Sequence, residues 1–166
     1  DPLKDFTVIG PVSVHYQALV VGNAAAFKSV QDVIDAAKQY PGKVSYGTAG
    51  VGTSSHLAAE IFQQQAGIKL NHVPYRGEAP ALRDVAGGDL DLAFATLAAV
   101  RPFADAGRVR AIGIGASARS TSAPELPTFA ETGLPGYNVP AWYAVMASSE
   151  VPAPVVAILR REMEVV

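Results

Sequence analysis

The amino-acid sequence predicts an α/β fold, with an open, mostly parallel sheet that carries helices on both faces. Valine-rich extended stretches alternate along the chain with segments whose apolar residues recur at helical spacing. Strands that are joined through a single helix lie parallel, with right-handed crossovers. The chain has 166 residues, of which 49% are hydrophobic and 17% charged, and can therefore bury the core of one such domain.

Composition excludes several classes of function. The net charge is -2 and no basic run occurs, which argues against a nucleic-acid partner because phosphate binding needs clustered lysines and arginines. The chain has no cysteine and so contains neither disulfides nor thiolate metal sites. Its three histidines, His15, His56 and His72, lack the spacing of metal ligands on one element. We expect no metal and no cofactor, and no apolar stretch reaches the length of a membrane span.

The start of the chain predicts two strands and a helix. The segment FTVIGPVSVHYQALVVG is expected to form two extended stretches separated at Gly10–Pro11. Ser29 and Asp32 stand three residues apart, which is close to a capping box and predicts the start of a helix. Pro41–Gly42 is expected to end that helix.

The remaining elements continue the alternation of strand and helix. Val44–Tyr46 is a short predicted strand, and the next helix begins near Ser54 and ends at Gly67. The residues expected on its buried face are Leu57, Ala58, Ile61 and Phe62. Later strands are predicted in IKLNHVPY, LDLAFA, RVRAIGIGA and AWYAVMAS, and later helices in EAPALRDVAGG, LAAVRPFADAG and PAPVVAILRREMEVV. One short helix is expected around 129–131, within a turn-rich connection.

Three turns follow the carboxyl ends of predicted strands, at residues 47–55, 75–79 and 95–97. Ligands of open α/β sheets bind outside the carboxyl ends of the strands. We therefore expect these three turns to meet in space and to form the binding site.

The stretch VSYGTAGVGTSSHLAAEIF, residues 44–62, contains the first of these turns, and two nucleotide motifs almost match it. Gly47 and Gly52 have the spacing of a Walker A loop, but Thr53 stands where that loop has the lysine that contacts phosphate. Gly50, Gly52 and Ser55 resemble a dinucleotide fingerprint without its last glycine, and the next strand ends in Tyr75–Arg76 without an acidic residue at the required distance. Both mismatches argue against a nucleotide.

The same turn suits a single carboxylate. Glycines allow a tight bend that presents bare N–H groups, and a helix start near Ser54 adds unpaired N–H groups and a partial positive charge. Thr53, Ser54 and Ser55 add hydroxyl donors. The alternative is that these residues only cap the helix and make the bend.

The second turn offers Tyr75 as a hydroxyl or aromatic wall, Arg76 as a cation and Gly77 as a point of close backbone approach. A solvated arginine beside a half-buried tyrosine is the alternative. His56 lies in the first turn of a helix, where the dipole opposes protonation, and we expect it to be neutral and hydrogen-bonded.

The sequence predicts no catalytic set. Ser55 and His56 are neighbours, which point about 100° apart on a helix, and there is no G-x-S-x-G elbow. Asp89 and Asp91 are expected to cap or to face solvent. We expect a binding protein and not an enzyme. An enzyme that uses the glycine turn as a phosphate or oxyanion cradle is the alternative.

Four blocks of the sequence have the order and spacing of a known family. They are VSYGTAGVGTSSHLAAEIFQQQAGI, NHVPYRGEAPALRDVAGGDLDLAF, AGRVRAIGI and PELPTFAETGLPGYNV. Together they resemble the tripartite tricarboxylate transporter substrate-binding proteins, the TctC or Bug family, which are extracytoplasmic receptors of proteobacteria. The resemblance covers nearly the whole chain and implies a type II periplasmic-binding-protein-like domain.

The resemblance also implies a domain organisation. Residues 1–22 would be hinge or crossing strands, residues 23–141 the ligand-binding α/β domain (domain II of the family), and residues 142–166 the return strand and the start of a C-terminal helix. Domain I of the family would be missing from this chain and would complete the site. The chain would be mature and periplasmic, with its signal peptide absent.

The function implied is capture of a small organic carboxylate and its delivery to the membrane subunits of the transporter. A sensor that shares the scaffold without transport is an alternative. The ligand-binding residues implied are Ala49, Gly50, Gly52, Thr53, Ser54, Ser55, Tyr75, Arg76, Gly77 and Thr96. Ala95–Thr96 stands where the family often has an acidic residue followed by Asn, which removes a partner for an ammonium group. We therefore expect a carboxylate without an amine.

Overall fold

The computed structural model describes residues 1–163, which form two compact units. Unit 1 consists of Asp1–His15 and of the chain from Ala141 onward, and unit 2 is Tyr16–Pro140. The family resemblance implied boundaries after residues 22 and 141. The first boundary lies earlier because residues 17–22 pair with strands of unit 2. Residues 164–166 of the predicted last helix lie outside the described residues.

The strands confirm the predicted sheet. They are β1 (Phe6–Gly22), β2 (Ser45–Thr48), β3 (Asn71–Pro74), β4 (Leu92–Thr96), β5 (Val109–Ile114) and β6 (Pro140–Ser148). Their order is β3-β2-β4-β1-β5, and in unit 1 β6 pairs with β1. Strand β2 is parallel to β3 and β4, whereas β1 is antiparallel to β4 and β5. The sheet is therefore open and mostly parallel, and β1 is its exception.

Local signals in the sequence place most of the helices. The helices are α1 (Pro2–Asp5), α2 (Val30–Gln39), α3 (Ser54–Ala66), α4 (Glu78–Gly87), α5 (Leu97–Asp105) and α6 (Ala153–Met163), with a 3-10 turn at Ala130–Thr132. The predicted capping box is present, since Ser29 Oγ accepts from the Asp32 N–H at 3.2 Å and the Asp32 carboxylate accepts from the Ser29 N–H at 3.0 Å. Gly67 ends α3 in the left-handed conformation, as expected. Helix α1 was not predicted.

Unit 2 buries a core on each face of its sheet. Along β1, Leu19 and Val21 belong to one core, and Ala18 and Val20 belong to the other. Helices α2 and α3 contribute to the first core, and α4 and α5 to the second. The predicted placement of helices on both faces is confirmed. Among the described residues, no helix combines the length and apolar character needed to cross a bilayer.

Two sequence predictions are wrong in detail. The segment expected to form two extended stretches is one strand, because proline is tolerated where a strand is exposed and Pro11 is exposed. Leu57, expected in the core, keeps 56% of its surface exposed. The buried stripe of α3 is instead Ser55, Ala58, Ala59 and Phe62, which follow a spacing of three and four residues that leaves Leu57 on the outer side.

Candidate anion-binding site

The three predicted turns meet at one edge of the sheet of unit 2. The Gly77 N–H donates to the Ala49 carbonyl at 3.1 Å, which joins the second turn to the first. The Thr96 hydroxyl donates to Glu78 Oε2 at 2.7 Å, which joins the third turn to the second. Helices α3, α4 and α5 all begin at this edge because each follows a strand of the parallel set.

The first turn closes largely on itself. Gly50 and Gly52 have φ values of 135° and 79°, which favour glycine. The Thr53 hydroxyl donates to the Gly50 carbonyl at 2.7 Å, and Ser55 Oγ accepts from the Ala49 N–H at 3.0 Å. Ser55 is also fully buried. Thr53 therefore caps the helix, and the side chains of Thr53 and Ser55 shape the turn, as in the alternative interpretation. Neither is turned outward as a donor.

Ser54 is the exposed hydroxyl of the turn and the first residue of α3. Its Oγ accepts from Gln17 Nε2 at 3.2 Å, which leaves the hydroxyl hydrogen for another acceptor. Within residues 1–163, neither the Ser54 N–H nor the Ser55 N–H has a hydrogen-bond acceptor. These groups lie at the positive end of a 13-residue helix and form a donor set suited to an anionic oxygen.

The second and third turns supply one exposed cation, whereas their hydroxyl groups are engaged within the protein. Tyr75 does not offer its hydroxyl, which donates to Asp84 Oδ2 at 2.6 Å. Burial and that hydrogen bond raise the pKa of Tyr75 to about 12. Arg76 is exposed beside Gly77, whose φ of 114° turns the chain into α4. Thr96 caps α5, and its hydroxyl is engaged by Glu78.

The expectation for His56 agrees with its contacts. Its Nδ1 accepts from the Gly52 N–H at 3.2 Å, which requires that Nδ1 carry no proton. The His56 ring stacks on His72 at 4.3 Å between centroids, and His72 Nε2 lies 2.7 Å from Thr48 Oγ1. Burial and the neighbouring His56 lower the pKa of His72, and Glu60 acts in the opposite direction.

The lowered pKa of His72 predicts a loss of stability in mild acid. The unfolded chain, with an ordinary histidine pKa near 6.5, takes up a proton before the folded chain does. The stabilising contribution is therefore present above that pH and is lost as the pH falls through the folded pKa. We expect urea unfolding from pH 7.5 to 5.5 to show a falling free energy of unfolding, and His72→Phe to flatten the fall. Equal slopes for the two proteins would contradict this assignment.

A groove of about 850 Å³ lies elsewhere on unit 2, along α5 and β5. None of the predicted site residues lines it. Its Arg110 donates to the backbone carbonyls of residues 22, 23, 25 and 27 and thereby holds the loop between β1 and α2. Within residues 1–163, no cluster of three His, Asp or Glu side chains could hold a metal.

Sequence reasoning missed two residues of this edge, Gln17 and Glu78. Gln17 is the polar residue that begins the apolar run of β1, and it is 1% exposed. Glu78 follows the Arg76–Gly77 turn as the first residue of α4. A polar residue next to an apolar run was visible in the sequence, but its contact with Ser54 joins residues 37 positions apart.

The sheet order and the helix starts at one sheet edge define a domain of the type II periplasmic-binding-protein class. The family model for the tripartite tricarboxylate transporter family receptor matches residues 1–165. The chain therefore belongs to the TctC family, as its sequence blocks indicated. This family consists of solute receptors and not of enzymes.

Relatives and solved structures agree with this assignment. The chain is 37% identical over 161 residues to the UPF0065 protein in the tcbD-tcbE intergenic region of Pseudomonas sp. strain P51, covering 96% of this chain and 48% of that protein. A protein of R. palustris solved with adipate has a TM-score of 0.90 and 35% identity, covering 96% of this chain and 53% of that one. MatC of Rhodopseudomonas palustris, solved with bound malate, has a TM-score of 0.86 and 27% identity, covering 97% and 55%. The chain spans about half the length of the curated relatives it matches.

Proposed function

We propose that this chain is the ligand-binding part of a periplasmic receptor that captures a small organic carboxylate and delivers it to the membrane subunits of a tripartite tricarboxylate transporter. The observation that carries the proposal is the helix start of α3. There the Ser54 hydroxyl and two amide N–H groups lie at the sheet edge without acceptors in residues 1–163.

The chemistry of this edge favours a carboxylate over a polyphosphate. The glycine turn contains no lysine or arginine, so it cannot neutralise several phosphate charges. One carboxylate needs only a few donors and the partial charge of a helix start, and Arg76 adds a cation nearby. Two members of the fold class that resemble the chain were solved with adipate and with malate, both of which are dicarboxylates.

Unit 1 supports a second part of the proposal, the presence of another domain. Its strands and helix expose large apolar side chains, among them Phe6, Val12, Trp142, Tyr143 and Ile158. Trp142 is 62% exposed and Tyr143 60%, although burial of such side chains stabilises a fold by several kcal/mol. We infer that residues 1–15 and 142–163 are hinge segments covered by domain I, which the family's length implies.

The magnitude of the contacts predicts weak binding by this chain alone. A charge-assisted hydrogen bond contributes about 1.5–3 kcal/mol and a helix start roughly 0.3–1 kcal/mol. Two such bonds and the helix start together contribute roughly 3–7 kcal/mol before ordering costs, whereas micromolar affinity needs about 8 kcal/mol. The other domain would supply the difference and exclude water on closure.

Calorimetry tests the proposed function. The native receptor and the 166-residue chain are titrated with adipate, malate and citrate. We expect micromolar binding of at least one acid by the receptor, and little or no heat from the chain. Failure of the receptor to bind any carboxylate would contradict the function. Micromolar binding by the chain would mean that the site is complete without domain I.

A further inference from the structure

Two stacked histidine rings hold the glycine turn by hydrogen bonds. The ring centroids of His56 and His72 are 4.3 Å apart, with 17° between the ring planes. His56 Nδ1 accepts from the Gly52 N–H at 3.2 Å, and His72 Nε2 lies 2.7 Å from Thr48 Oγ1. The Thr48 hydroxyl in turn accepts from the Gly50 N–H at 3.3 Å. The two histidines therefore engage two backbone N–H groups of the turn, one directly and one through Thr48.

Gly52 is oriented by its hydrogen bond and not by packing. Its φ of 79° lies in the left-handed region, it is exposed, and a side-chain carbon added to it would meet no atom within 4 Å. Val51, which precedes it, is 74% exposed. The bond to His56 therefore orients the peptide that leads through Thr53 into the start of α3, where Ser54 presents its donors.

The contacts of His56 also determine where its ring carries a proton. Nδ1 accepts from the Gly52 N–H, so the proton of the neutral ring is on Nε2, which lies 3.7 Å from Glu60 Oε1. Tyr46 of β2 stacks on His72, and its hydroxyl donates to the same Glu60 oxygen at 2.6 Å. The titratable groups that face His56 are therefore His72 from β3, Glu60 from its own helix and, through these two, Tyr46 from β2.

We propose that His56 is a positioning residue for the carboxylate site and must keep Nδ1 unprotonated for the turn to bind its ligand. The inference rests on the proposed function and concerns the regulation of the same site. A proton on Nδ1 would place two N–H groups against each other, so Gly52 would lose its acceptor and the turn would leave the geometry that precedes α3. Acid would therefore weaken capture of the carboxylate.

A charged His56 ring would also attract the bound carboxylate, which acts in the opposite direction. Water and salt screen this attraction, because Ser54 and the tip of the turn are exposed. The lost acceptor, in contrast, changes the position of the donors themselves. We therefore expect the change in geometry to dominate.

His56→Asn and His56→Leu in the native receptor test this inference. Calorimetry uses whichever of adipate, malate and citrate binds the native receptor most tightly at pH 8. The amide oxygen of asparagine accepts a hydrogen bond as Nδ1 does but does not titrate. His56→Asn should therefore bind within about twofold of the native receptor at pH 8, whereas His56→Leu, which has no acceptor, should bind about fivefold more weakly.

The pH dependence distinguishes positioning by a titrating ring from a merely structural role. From pH 8 to pH 5.5, the native receptor should lose at least about threefold more affinity than His56→Asn, because histidine changes its charge between pH 5 and pH 8. Protonation of the acid itself is the same in both titrations and cancels in this comparison. His15→Asn is the matched control, since His15 belongs to unit 1 and stacks on Tyr143, and it should keep the native pH dependence.

Circular dichroism at both pH values checks that each protein is folded, and His56→Asn still decides the inference if His56→Leu does not fold. Three results would overturn the inference and leave the receptor function intact: equal pH dependence in the native receptor and His56→Asn, tighter binding by the native receptor in acid, or native affinity in folded His56→Leu. Loss of the pH dependence in His15→Asn would also overturn it. Absence of binding by the native receptor at pH 8 would overturn the proposed function together with this inference.

Discussion

Replacing Ser54 by leucine in the native receptor is expected to weaken carboxylate binding by about 100-fold. The change removes the exposed hydroxyl donor and places a bulky apolar side chain at the helix start. Loss of a charge-assisted hydrogen bond costs about 1.5–3 kcal/mol, and each 1.4 kcal/mol corresponds to about tenfold in affinity. Calorimetry with the tightest-binding acid measures the effect.

Ser54 is the better target in this turn because Thr53 caps α3 and bonds the Gly50 carbonyl, so that changing Thr53 would also disturb the fold. Gln65→Leu is the matched control. It adds the same side chain to an exposed position in the last turn of α3, and its affinity should equal that of the native receptor. Unchanged binding by Ser54→Leu would show that the helix start is not part of the binding site.

Replacing Phe129 by alanine is expected to destabilise the protein by about 3–5 kcal/mol, the usual cost of emptying a buried aromatic position. Phe129 is fully buried, and its ring centroid lies 4.9 Å from that of Tyr137 and 5.2 Å from that of Phe62. Its ring also covers Gly113, where an added Cβ would come within 2.9 Å of it. The loss is a large part of a net stability of about 5–15 kcal/mol.

Thermal unfolding followed by circular dichroism should show a melting temperature lower by on the order of 10 °C. Phe103→Ala provides the comparison, since Phe103 is only partly buried, packs against the other core, and should cost clearly less. A similar small shift for both variants would mean that the turn-rich connection contributes little to stability. The backbone bonds between Phe129 and Ile114 and between Ile114 and Pro127 attach that connection to β5.

Much of the fold could be predicted because local rules decide it. Ser29 and Asp32 cap the start of α2, and Gly67 ends α3, each through bonds to residues nearby in the chain. The helix start and the helix end that these residues predicted are both present. The placement of the glycine turn at a strand end was also predictable, since it followed from the alternation of strands and helices. The exposure of Leu57 was not predictable, because the orientation of α3 depends on which of its faces meets the sheet.

The location of the candidate site could be predicted from the sequence, but the groups that donate hydrogen bonds there could not. Thr53, Ser54 and Ser55 are equivalent in the sequence, yet two of the three hydroxyls close the turn and one faces outward. Glu78 and Gln17 became visible only when β1 and β4 brought them to Thr96 and Ser54. No spacing rule relates residues on separate strands.

The amino-acid sequence by itself determined the order of the elements, the glycine turn before a helix and the family, because these depend on neighbouring residues and on patterns along the chain. The tertiary structure decided which polar groups at the sheet edge keep free donors and which acceptors stand beside them. The reason is that hydrogen bonds between distant segments use up some groups and leave others without partners, and only the folded chain establishes those bonds.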